Sequence, residues 1–162
     1  MGRMLASMLR VFLAVVHLLA LGIGLGAIYS RARSLRRLGT EAGALARVLA
    51  SDGWWGVAAL LWVSTGLVRA LAGTEKASSY YWSNHVFYAK MGLFALVFLL
   101  ELWPMLTLIG WRRAMAKKSL PSPETLAPLG RRLARISDVQ TLLLLAIVTA
   151  AVLMARGYGA RS

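Results

Sequence analysis

Hydrophobic positions fall in four long runs: about Met8 to Tyr29, Trp54 to Leu71, Phe87 to Trp111 and Val139 to Ala155. Crossing a hydrocarbon core ~30 Å thick takes ~20 predominantly apolar residues in a helix, and each run is near that length. The runs are continuous rather than alternating and rich in Leu and Ala, so they predict helices. A membrane barrel would need many alternating segments of ~10 residues. In lipid a helix also satisfies its backbone hydrogen bonds within one segment. The predicted fold class is therefore all-α: an integral membrane four-helix bundle filling residues 1–162 as a single transmembrane domain.

Polar positions collect in the connectors. Thr40 to Ser51 reads as helical, with Leu45, Val48 and Leu49 on one apolar side. In Pro121-Ser122-Pro123-Glu124, Ser122 is an N-cap candidate, Pro123 fits a first helical position and Glu124 suits the positive helix end. A short interfacial helix is expected after Ser122, made irregular by Pro128. Both connectors are expected to lie on the membrane surface or to extend the helices after them. The outer connector carries Tyr80, Tyr81, Trp82, Asn84, His85, Phe87, Tyr88 and Lys90, of the kind found in interfacial aromatic belts.

Charge orients the bundle. The first and third connectors carry twelve Arg and Lys residues; the opposite side, including both chain ends, carries seven. The richer side is expected to be cytoplasmic, with both termini outside. The net charge of +13, with 59% hydrophobic residues and a mean hydropathy of +0.64, reads as topology signals and anionic-lipid contacts rather than nucleic-acid binding. Arg3 and Arg10 before an apolar run also fit a signal peptide. That run is long, however, and ends in four arginines rather than a small-residue cleavage site, so it is read as a helix of the mature protein. The absence of cysteine excludes thiolate metal sites, iron–sulfur clusters and covalently attached c-type haem.

The halves resemble each other weakly. Arg47 to Asp52 leads into the second run and Arg135 to Asp138 into the fourth. Arg69 and Arg156 follow these aspartates by seventeen and eighteen residues. This two-helix internal repeat gives each even helix an acidic start and a basic end, which the helix dipole favours.

Two ionisable residues fall near the middle of their runs, His17 and Glu101. Such groups mark functional sites by default because charge at membrane depth is expensive. If the two helices are adjacent, His17 and Glu101 could meet and form a proton relay or one wall of a cofactor site. The structural alternatives are a His17 hydrogen bond to a helix carbonyl and a neutral Glu101 donating to the Leu100 carbonyl that Pro104 leaves free. Gly22 and Gly26 have small-xxx-small spacing, and with Gly24 they thin the first helix for helix packing or for a flat macrocycle. Lys90 and Glu101, eleven residues apart, share a helix face.

One series of residues is distinctive: Gly66-Leu67-Val68-Arg69, Gly73, Lys76, Tyr80-Tyr81, Phe87-Tyr88-Ala89-Lys90, Phe94 to Val97, Pro104 and Trp111-Arg112-Arg113. It resembles a bacterial family of small four-helix membrane proteins, domain of unknown function 2214. That family is distantly similar to HemJ-type protoporphyrinogen oxidases and CopD-like copper-resistance membrane proteins. The resemblance implies a bacterial inner-membrane, multi-pass location. It also implies His17 as a metal (haem b or related tetrapyrrole) ligand, Lys90 and Arg69 as propionate partners, and Glu101 in a catalytic, proton-handling role. The sequence departs from the HemJ pattern where Tyr88 replaces the histidine of His-x-Lys and Glu101 stands near the position of a further histidine. Three functional classes follow. One is a tetrapyrrole-associated redox protein. A second is a non-enzymatic accessory or assembly subunit contacting partner membrane subunits or a second copy of itself. The third is a copper or small-solute transport component, for which the seven scattered methionines give little support.

Overall fold

The computed structural model describes residues 2–71 and 82–159. Met1, Gly73, Lys76, Tyr80, Tyr81 and Arg161, and the side chain of Arg3, lie outside the described residues. Four helices follow one another: α1 (Gly2–Arg36), α2 (Ala44–Leu71), α3 (His85–Ala116) and α4 (Pro123–Ala155). All four are long and apolar enough to cross a membrane. Their outer faces carry the side chains that lipid requires, such as Phe12, Leu18, Leu60, Phe98, Leu106 and Leu142, each more than half exposed.

Each helix extends past its apolar run, at 28 to 35 residues or about 42–52 Å. The first and third connectors are largely helix: α2 begins at Ala44, and α4 runs from Pro123 through Pro128 without a break. No separate interfacial helix forms: Pro128, in the second turn of α4, removes one backbone donor without breaking the helix. Ser122 does cap α4, accepting from Thr125 N, with Pro123 first in the helix and Glu124 in the first turn. Asp52 and Asp138 therefore stand well inside their helices, and ion pairs rather than the helix dipole account for them: Asp52 pairs with Arg31 and Arg112, Asp138 with Arg36.

Packing follows the order α2–α1–α4–α3, while α2 and α3 touch little. The α1–α4 contact is tight at Gly130, where an added Cβ would lie 2.7 Å from Leu38 Cδ1 and 2.9 Å from the Leu35 carbonyl oxygen. In α1 the close approach is at Gly24, which faces the Trp55 ring. Gly22 and Gly26 face open space, so the small-xxx-small pair packs no helix among the described residues. At the far end, buried Asn84 caps α3 by accepting from Val86 N and Phe87 N, and donates to the Tyr158 carbonyl. His85 N donates to the Gly159 carbonyl, so the end of α4 is fastened to the start of α3.

The buried residues form two apolar clusters. One contains Ala20, Ala27, Ile28, Trp55, Trp62, Val97, Leu144 and Ile147. The other, toward the arginine-rich end, contains Leu35, Leu38, Val48, Leu49, Leu108, Trp111, Leu126, Leu133 and Ala134. A polar layer separates them.

Candidate functional site: a charge belt across four helices

The polar layer is centred on Arg31 of α1, whose side chain is fully buried. Placed by the sequence in the first connector, Arg31 instead lies on the buried stripe Ile28, Arg31, Leu35, Leu38. A guanidinium has five N–H donors, and all five are used. Nε donates to Ser137 Oγ at 3.2 Å, and Nη1 to Asp52 Oδ1 at 3.0 Å and Glu101 Oε1 at 2.6 Å. Nη2 donates to Glu101 Oε2 at 2.7 Å and Gln140 Oε1 at 3.2 Å. The Arg31–Glu101 pair is thus a bidentate fork, the strong form of a charge-assisted hydrogen bond.

The other members complete the layer. Gln140 Nε2 donates to Glu101 Oε2 at 2.8 Å and to the Val97 carbonyl at 3.3 Å. Arg112 Nη2 donates to Asp52 Oδ2 at 2.9 Å and to the Leu49 carbonyl at 2.7 Å. Ser51 donates to Ser30 across α2 and α1 at 2.9 Å. Every helix contributes: Arg31 from α1, Asp52 from α2, Glu101 and Arg112 from α3, Ser137 and Gln140 from α4. Two arginines balance two carboxylates, so the belt is neutral as a unit. From Ser137 to the end of α4 is 18 residues, about 27 Å, and from Asp52 to the end of α2 is 19, about 28 Å. The belt therefore lies about one hydrocarbon thickness from the far end of the bundle. There a buried charge is tolerable only when paired and hydrogen-bonded.

Glu101 and His17 do not meet. Glu101 is committed to Arg31, which stands fourteen residues, about 21 Å, along α1 from His17. As an acceptor from Arg31 and Gln140, Glu101 also gives no proton to the Leu100 carbonyl. His17 belongs to a second, smaller cluster. Its Nδ1 lies 2.8 Å from Thr65 Oγ1, and its ring packs 5.7 Å from the Trp62 ring, which meets Phe94 at 6.0 Å. Thr65 Oγ1 also donates to the Leu61 carbonyl at 2.6 Å. Gly66 admits the ring, since a Cβ there would be 3.3 Å from His17 Cε1. Arg69 of α2 and Lys90 of α3 are half-buried on the same side of the belt as His17.

His17 places an imidazole in the apolar part of α1, with its Nδ1 engaged by Thr65. No group of three or more His, Asp or Glu residues is placed to hold a metal ion among the described residues. The void beside Trp62, lined also by Ala20, Gly24, Trp55, Ala58 and Leu144, is about 10 Å³, room for one water. The described residues thus form neither a second axial ligand nor a slot for a macrocycle. A wider groove of about 610 Å³ opens sideways between α3 and α4 at the far end, lined by His85, Val86, Ala89, Ala146, Thr149, Ala150 and Leu153.

Among known proteins, one family profile matches residues 9–159, nearly the whole chain, and its description is Predicted membrane protein (DUF2214). The chain belongs to this family. The match takes in all four helices, so DUF2214 membership and the four spans agree. No curated protein and no solved structure matches the chain.

Proposed function

We propose that this DUF2214 protein is a non-enzymatic accessory or assembly subunit of a larger complex in the bacterial cytoplasmic membrane, its basic end inside and both termini outside. One observation carries the reading: the charged groups at the belt are consumed in holding the protein's own helices together. Glu101, the carboxylate nearest the middle of its run, is a structural acceptor and not a free acid. What remains for other molecules is the lipid-facing exterior, in which small residues at Ala89, Ala146 and Ala150 line the α3–α4 groove and permit close approach of a partner helix.

The test is in-membrane cross-linking followed by extraction in mild detergent and native electrophoresis. The expected result is a defined larger assembly that Ala146→Leu, an exposed substitution in the groove, disperses without lowering the unfolding temperature. Migration as a monomer after cross-linking would overturn the reading.

A further inference from the structure

The belt consumes Arg31 and Arg112, but the arginine-rich end holds further cations without acids. Among the described residues, Glu41 pairs with Arg37 and Arg47, and Asp138 with Arg36. No described acid lies within ion-pair distance of Arg131 or Arg135. These two are exposed on α4 and four residues apart, so they share a face. Asp138 continues that face one turn further, and its pair with Arg36 places the edge between α1 and α4 alongside.

Depth gives this edge its chemistry. From Ala155 to Arg135 is twenty residues, about 30 Å, the thickness of a hydrocarbon core. Arg135 is thus at the boundary and Arg131 one turn beyond it, at the level of lipid phosphates. Arg36, Arg131 and Arg135 there outnumber Asp138 and, two turns beyond Arg131 on the same face, Glu124; guanidinium groups bind phosphate oxygens in pairs.

We propose that the α1–α4 edge at the basic end is a binding site for the phosphodiester of an anionic phospholipid, held by Arg131 and Arg135 with Arg36 beside them. The inference goes beyond the proposed function and does not depend on it. The occupant is a lipid headgroup of the surrounding leaflet: the site is at headgroup depth, and the apolar helix surface above it accommodates the acyl chains.

The test uses the full chain reconstituted in mixed phosphatidylglycerol–phosphatidylcholine vesicles, then extracted in mild detergent, with the retained lipids counted. The wild type should retain phosphatidylglycerol well above its share. Arg131→Gln/Arg135→Gln should lower that enrichment by about thirty-fold, and Arg135→Gln alone by about five-fold. Lys117→Gln/Lys118→Gln, an equal charge change off this edge, should keep the enrichment within about two-fold. Unfolding temperatures of all variants separate lost binding from lost fold, and the single variant carries the test if the double one does not fold. The proposal is overturned if the double variant keeps the enrichment, if the lysine variant loses it equally (diffuse surface charge), or if inorganic phosphate displaces the lipid (a site for free anion).

Discussion

Replacing Arg31 with methionine, which fills a similar volume without charge, should be the most damaging single change in the bundle. It removes five hydrogen bonds at once, leaving Asp52 with Arg112 and Glu101 with no cation but only the amide of Gln140, both carboxylate side chains being 15% exposed. Breaking a buried ion pair from one side costs about 3–5 kcal/mol, because a charge is stranded in a poor solvent. Glu101→Met strands Arg31 less completely, since Asp52, Ser137 and Gln140 still accept from it, so its loss should fall toward about 3 kcal/mol. In Arg31→Met/Glu101→Met no charge of the fork remains, and Asp52 keeps Arg112. The double variant should therefore be more stable than Arg31→Met alone, a coupling that a double-mutant cycle reads directly. The assay is reversible unfolding in mixed micelles followed by tryptophan fluorescence, for which buried Trp55, Trp62 and Trp111 are internal reporters. The reasoning is refuted if Arg31→Met loses less than about 1 kcal/mol, or if the two single losses simply add.

Other outcomes follow from the same geometry. Gly130→Ala should destabilise by about 1–3 kcal/mol in the same assay, because the new methyl meets the Leu35 carbonyl, which cannot yield as a side chain can. Asn84→Ala should cost about 1 kcal/mol from the lost cap and free the Tyr158 carbonyl, seen as faster amide exchange at Val86 and Phe87. By contrast Asp138→Asn breaks a pair whose side chains are both more than 40% exposed, and should change stability by less than about 1 kcal/mol. His17→Ala should leave the Arg31–Glu101 coupling intact, since the two clusters are about 21 Å apart; a changed double-mutant cycle in that background would contradict their independence.

The fold was legible because lipid imposes a simple rule on composition: four apolar runs of membrane length leave little choice but four helices. The helix ends were less legible, since helices that project beyond the bilayer continue through polar sequence, and only Ser122 announced itself as a cap. The site was half legible. Glu101 stood out as a charge inside an apolar run. Its partner did not, because Arg31 is one of four arginines at a run's end and resembles a topology signal. A discriminating pattern was nonetheless present. Ile28, Arg31, Leu35 and Leu38 keep the three-four spacing of a buried stripe, as do Leu133, Ser137, Gln140, Leu144 and Ile147 on α4, and Val97, Glu101, Pro104, Leu108 and Trp111 on α3. A polar residue in phase with apolar neighbours on each of these three helices points to one shared layer. What spacing alone does not reveal is which helices are neighbours: α1 packs on α2 and α4 rather than on α3, so the adjacency on which a meeting of His17 with Glu101 depended does not hold.

The most direct test of the belt is a solid-state NMR dipolar recoupling measurement between the guanidinium nitrogens of Arg31 and the carboxyl carbon of Glu101, with the full chain in lipid bilayers. The bidentate fork predicts strong dephasing from both terminal nitrogens, and its loss in Glu101→Met. Absence of dephasing in the folded protein would mean that Arg31 and Glu101 are apart in the membrane, and that the four helices are held by something other than this charge belt.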